Sequence, residues 1–179
     1  MITIEKLNKL LNSFEWNCVV KNKIVKSVRK NWEKYRVLTP KQFITLKTGC
    51  CWDFCNFLQF YFPRHFSYPY KLYFLQAENE SNHTWFCYFK DNKIYIFESA
   101  WKKYCGIQEY NSEDEMLNDY VYKFFSDEEY KSINRIKYKI YTYKSIDKVL
   151  SDDFLNNIYN NGELIRNSFY EKYNNERSI

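Results

Sequence analysis

Large aromatic rings dominate this chain. Its 179 residues include 18 tyrosines, 15 phenylalanines and 5 tryptophans, against only three glycines. So many rings must be buried, and a buried tyrosine needs a partner for its hydroxyl. The expected product is an aromatic core with polar edges. A hydrophobic content of 45% supplies ample material for that core and argues against disorder. The length fits a single domain spanning 1–179.

The charge balance is mild, at +5 from 27 basic and 22 acidic residues. Lysines are interspersed with glutamates and aspartates, so there is no basic stripe and no nucleic-acid partner is expected. No membrane partner is expected either. The most apolar stretch, Phe54 to Phe62, is broken by Asn56 and Gln59 and falls far short of the roughly 18 apolar residues of a span. Glu5, Lys6 and Lys9 interrupt the N-terminus where a signal peptide has an unbroken apolar core. The expected location is the cytoplasm, with the six cysteines as reduced thiols.

Hydrophobic spacing (Ile4, Leu7, Leu10, Leu11, Phe14) predicts an opening amphipathic helix over 3–14. Residues 15–40 are mixed. Pro40 suits the first turn of a short helix over Lys41 to Leu46. Cys51 to Phe62 reads as a helix that Pro63 ends. The period then changes. Lys71 to Ala77, His83 to Lys90 and Lys93 to Ser99 are short, aromatic and β-branched, and Asp91-Asn92 is a hairpin turn. Ser112 and Glu115 form a capping box opening a helix to about Phe125. Arg135 to Tyr143 alternates as a strand. Ser151-Asp152-Asp153 caps a further helix ended by Gly162, and Glu163 to Ile179 is expected to be helical before it frays. This order predicts an α+β domain, with residues 126–179 supplying a C-terminal strand and helices.

One constellation carries chemistry. Gly49-Cys50-Cys51-Trp52-Asp53-Phe54-Cys55 is followed by His83 and Glu98. A cysteine nucleophile works as the thiolate, and a helix N-terminus beside an imidazole favours that form. Cys51 opens the predicted helix, and Gly49 is expected to permit tight backbone entry and an open approach. The thiol needs a base, and the base an orienting group. If the hairpin turns at Asp91-Asn92, Lys90 pairs with Lys93, Trp85 lies opposite Glu98, and His83 opposite Ala100. His83 and Glu98 then share one face as diagonal neighbours roughly 7–8 Å apart, a gap that a glutamate side chain spans. Spacing alone does not bring Cys51 to them.

The run GCCWDFC resembles the nucleophile motif of the transglutaminase-like superfamily, Gly-x-Cys-x-Asp-x-Ala, within the papain-like cysteine fold. Gly49, Cys51 and Asp53 match, with Cys55 where a small residue is usual. His83-Thr84-Trp85 resembles that superfamily's His-x-Trp, and Glu98 stands where an acidic residue follows on the paired strand. Phe97-Glu98-Ser99-Ala100-Trp101 and Gly106-Ile107-Gln108-Glu109-Tyr110 are similar to motifs that occur in the same order in a group of bacterial transglutaminase-like proteins. The resemblance covers about residues 35–125 and implies a papain-like fold, its nucleophile helix packed on an antiparallel sheet. It implies Cys51 as nucleophile, His83 as base and then acid, and Glu98 as orienter of His83. It implies a peptide or protein substrate and no cofactor.

The Cys51 N–H is one expected oxyanion donor; the second is open, with Gln42 a position that no motif supports. Asp53 reads as a helix-start residue. Trp52 and Trp85 are expected in the core or the cleft wall, and they are the candidate substrate-binding residues. Cys50 is the competing nucleophile, one residue out of frame. Cys50, Cys51 and Cys55 could contribute to a metal site with His83 or His65, but zinc sites show a second ligand pair and none exists here, so no metal is expected. His65 reads as a turn histidine, and Cys87 and Cys105 as core or surface thiols. A complete Cys-His-Glu set favours an acyl-transfer enzyme working through a thioester. The alternative is a silent module that keeps the cleft to hold a peptide or small ligand.

Overall fold

A computed structural model of the chain describes residues 2–21, 23–25, 34–79, 81–126, 135–146 and 152–171. Helix α1 (Ile4–Asn12) is capped by Thr3, whose side chain accepts the Lys6 N–H, and it buries Leu7 and Leu11 one turn apart. Three short strands follow: β1 (Glu15–Trp16), β2 (Cys18–Val20) and β3 (Lys23–Val25). Helix α2 (Pro40–Leu46) has Pro40 in its first turn and a complete Thr39/Gln42 capping box. Lys47, at φ 50°, turns the chain out of α2 into β4 (Thr48–Gly49). β4 pairs in parallel with β1, Trp16 opposite Gly49.

Helix α3 (Cys51–His65) follows at once. It runs past Pro63, where the sequence predicts its end. Pro63 lies in the last turn, so its missing N–H removes little of the ladder. The main sheet comes next: β5 (Tyr70–Ala77), β6 (Asn82–Lys90), β7 (Lys93–Glu98) and β8 (Gly106–Tyr110), then α4 (Glu113–Phe125), β9 (Arg135–Tyr143), α5 (Asp152–Asn161) and β10 (Glu163–Glu171). Six of these strands form one antiparallel sheet in the order β10-β9-β5-β6-β7-β8. Asp91 and Asn92 both take positive φ, as a two-residue I′ turn requires, and Lys90 pairs with Lys93.

The segment after Gly162 corrects the expected helix. Its residues 163–171 form β10 and pair with β9 along nearly their whole length. The open edge of β9 offers a full set of backbone partners, and that tertiary pairing overrides a weak local pattern. The Ser151 cap and residues 172–179 lie outside the described residues.

Alternation along the strands sends side chains into two cores. Leu72, Phe74, Phe86, Tyr88, Phe97 and Tyr141 pack with α1, α2, α3 and α5 on one face. Tyr73, Leu75, Trp85, Cys87, Ile96 and Ile140 pack with α4 on the other. The class is α+β. All six cysteines are free thiols. Among the described residues no helix is long and apolar enough to cross a membrane.

Candidate active site

The start of α3 is fixed from three sides. The Asn17 N–H donates to the Gly49 carbonyl at 3.1 Å, which anchors the last residue of β4. The Asp53 carboxylate accepts the Cys50 N–H at 2.9 Å with one oxygen and the Leu38 N–H at 2.7 Å with the other. Asp53 therefore starts the helix, as the sequence implies, and also ties the incoming chain at Leu38 to it. Burial and the neighbouring Cys50 push its carboxyl well above the ordinary value, against those two N–H groups and Tyr35.

Cys50 caps the helix and is buried, while Cys51, the first helical residue, is half-buried. The Cys50 sulfur lies 3.0 Å from the Tyr35 hydroxyl. Burial works against its ionisation. Hydrogen bonds from Cys18, Cys51, Tyr35 and the Trp52 N–H outweigh that and hold the Cys50 thiol well below the ordinary range. Cys51 goes the other way: its hydrogen bond to Cys50, burial and the Cys50 charge raise it well above the ordinary thiol, opposed by the Thr84 N–H. The two shifts run in opposite directions: the surroundings of Cys50 favour its thiolate, and those of Cys51 favour its thiol.

His83 and Glu98 are both buried. The imidazole Nε2 faces Glu98 Oε2 at 3.6 Å and makes no hydrogen bond among the described residues. The same Oε2 accepts the Tyr120 hydroxyl at 3.0 Å, and Oε1 accepts the N–H groups of Ala100 at 2.8 Å and Trp101 at 2.9 Å. Burial alone would raise this carboxyl. His83, the Trp101 N–H and Tyr120 prevail and hold it below the usual carboxylate value. Trp101 stacks on the imidazole with ring centroids 3.8 Å apart and planes 16° apart. Trp101 closes the Phe97-to-Trp101 motif run, whereas Tyr120 has no motif signature and its signal is positional only, an aromatic on the capped helix.

The structure brings His83 and Glu98 together, and Cys51 meets the same strand at Thr84, the residue next to His83. The Thr84 N–H reaches the Cys51 sulfur, and Thr84 faces α3 while its hydroxyl donates to the Tyr73 carbonyl at 2.7 Å. The His83 ring lies with Trp85, Trp101 and Tyr120 on the α4 side. Among the described contacts the thiol is engaged by Cys50 and Thr84, not by the imidazole. A cavity of about 10 Å³ lined by Cys51, Thr84, Glu98 and Ala100 lies between α3 and the strands.

Both candidate substrate-binding tryptophans lie in the core, one of the two places expected for them. Trp52 is 3% exposed and packs on Phe74, Tyr143 and Phe154. Trp85 is 2% exposed, lies between Tyr73 and Tyr120, and its Nε1 has no hydrogen-bond partner among the described residues. Rings of this size have more to gain from burial between layers than from an open wall. The Gln42 side chain closes the α2 capping box. His65 ends α3 with its ring tilted against Tyr61. Among the described residues no group of three or more His, Cys, Asp or Glu side chains is arranged to hold a metal ion. No protein-family model matches the chain, and no curated protein matches it.

Proposed function

We propose that this protein is a cysteine-nucleophile acyl-transfer enzyme of transglutaminase-like, papain-like type, acting on a peptide or isopeptide amide. The observation that carries the reading is a buried histidine–carboxylate pair whose carboxylate residue lines one small cavity with a helix-opening cysteine. Burying an imidazole and a carboxylate 3.6 Å apart is costly without a use for the pair. The Cys51 side chain turns from Cys50 to the imidazole and gives up its proton, and Glu98 stabilises the imidazolium. The thiolate attacks the amide carbon, the C–N bond breaks, and His83 returns the proton to the departing amine. The thioester then passes to water or to a second amine. A catalytic thiol also has to stay reduced, which places this reading in the cytoplasm.

A silent binding module is the second reading, and one observation favours it: the Cys51 thiol is raised, by its hydrogen bond to Cys50 and by burial, away from the reactive thiolate. Iodoacetamide labelling at pH 6–7, with adducts mapped by mass spectrometry, separates the two. The enzyme reading expects Cys51 to label ahead of the other five cysteines and to lose that advantage in His83→Ala. Slow labelling at Cys51 that ignores the His83 substitution leaves the silent module.

A further inference from the structure

We infer that Tyr120 is a positioning residue that keeps Glu98 ionised and aimed at His83; this rests on the acyl-transfer reading and adds a member that neither the motif nor its spacing supplies. Glu98 is 2% exposed, and its two oxygens have separate duties. Oε1 is taken by the Ala100 and Trp101 N–H groups. Oε2 alone looks at the imidazole, and Tyr120 donates to that same atom at 3.0 Å. At 3.6 Å the His83–Oε2 contact is too long to hold the carboxylate by itself.

A carboxylate oxygen has capacity for two donors. Tyr120 fills one position and leaves the other for the Nε2–H, which is drawn in when the ring becomes charged. Without the hydroxyl, a buried anion would lose one of its three neutral donors and gain affinity for a proton. Once protonated, it could no longer stabilise an imidazolium. The ring of Tyr120 is held independently, stacked on Trp85 at 4.7 Å and tilted against Trp101 at 5.6 Å, so its hydroxyl is presented at a fixed place. The other titratable groups facing Glu98 are His83 on β6, Cys55 on α3, Tyr110 on β8 and Cys105 in the connecting loop. Among the described residues, the side-chain contacts to Oε2 are those of His83 and Tyr120.

The test uses the full chain with ¹³C-labelled glutamate carboxyls, Glu98 assigned by Glu98→Gln. Tyr120→Phe removes one oxygen and keeps the ring. It is expected to raise the titration midpoint of Glu98 by about one pH unit and to move the acid limb of Cys51 alkylation up with it. 3-Fluorotyrosine placed at 120 alone, a stronger donor of nearly the same shape, moves the Glu98 midpoint down and covers the case in which Tyr120→Phe does not fold. Tyr73→Phe, whose hydroxyl bonds Glu113 in the same ring stack, leaves both midpoints in place. A Glu98 midpoint unchanged in the Phe and fluorotyrosine proteins overturns the assignment, even if both lose thermal stability. Failure of the acyl-transfer reading shows separately, as Cys51 labelling that His83→Ala does not slow.

Discussion

Cys50 and Cys51 share one peptide bond, and their thiols are pushed in opposite directions. Cys50 collects donors from Cys18, Cys51 and Tyr35, which lower its thiol against burial, while the hydrogen bond to Cys50 raises the Cys51 thiol. Cys50→Ala removes both the acceptor and the charge that raise the neighbouring thiol. The Cys51 thiol then falls toward the ordinary range, and its thiolate fraction at neutral pH rises. Alkylation of Cys51 at pH 7 is expected to speed up by about tenfold or more, measured by quantitative mass spectrometry. Equal rates in the two proteins would mean that Cys50 does not hold the proton on its neighbour. The motif spacing picks Cys51 over Cys50 by frame, and exposure agrees, since Cys50 is the buried one. What single-residue reading misses is Cys18 and Tyr35, which come from outside the motif. Gly49 shows a different gap. A Cβ at this position would lie 2.7 Å from both Asp53 Cβ and the Phe43 ring. Close packing of α2 on α3 requires the glycine; the expected open approach for a substrate does not enter.

Elements were legible where a turn or cap fixed their ends. The Asp91-Asn92 turn sets the register from Lys90↔Lys93 through Cys87↔Ile96, and this puts His83 and Glu98 on one face. The fate of residues 163–171 was not legible, because the edge of β9 decides it and that edge exists only after folding. The α5–β10 joint carries a testable consequence. The Gly162 N–H donates to the Ile158 carbonyl at 2.8 Å to end α5. A Cβ at Gly162 would fall 2.4 Å from the Ile158 carbonyl oxygen and 2.9 Å from that of Thr142. Both obstacles are backbone, one in α5 and one in β9, so neither can step aside without moving an element. Gly162→Ala is expected to cost about 1–3 kcal/mol, read as a lowered midpoint in thermal unfolding. An unchanged midpoint would mean that the edge strand can be displaced without cost.

At the scale of the whole molecule, two buried carboxyls pull the pH dependence of stability in opposite directions. Glu98 is held below its ordinary value of 4.5. Its contribution is fully present above that value and is lost as pH falls through the lower folded one. Asp53 is pushed above its ordinary value of 3.8, by burial and by Cys50. Its contribution is fully present below 3.8 and is lost as pH rises through the higher folded value. The two groups sit in different layers, Asp53 at the α2–α3 contact and Glu98 under α4, so their effects should be close to additive. Thermal unfolding between about pH 3 and pH 7 separates them. The deficit of Glu98→Gln relative to the parent should be largest at neutral pH and shrink as the solution becomes acidic. Asp53→Asn should behave in the opposite sense, gaining on the parent as pH rises. If the Glu98→Gln curve stays parallel to the parent through the acid range, the carboxylate is not held ionised by its donors. The buried histidine–carboxylate pair would then lose the electrostatic footing on which its proposed chemistry stands.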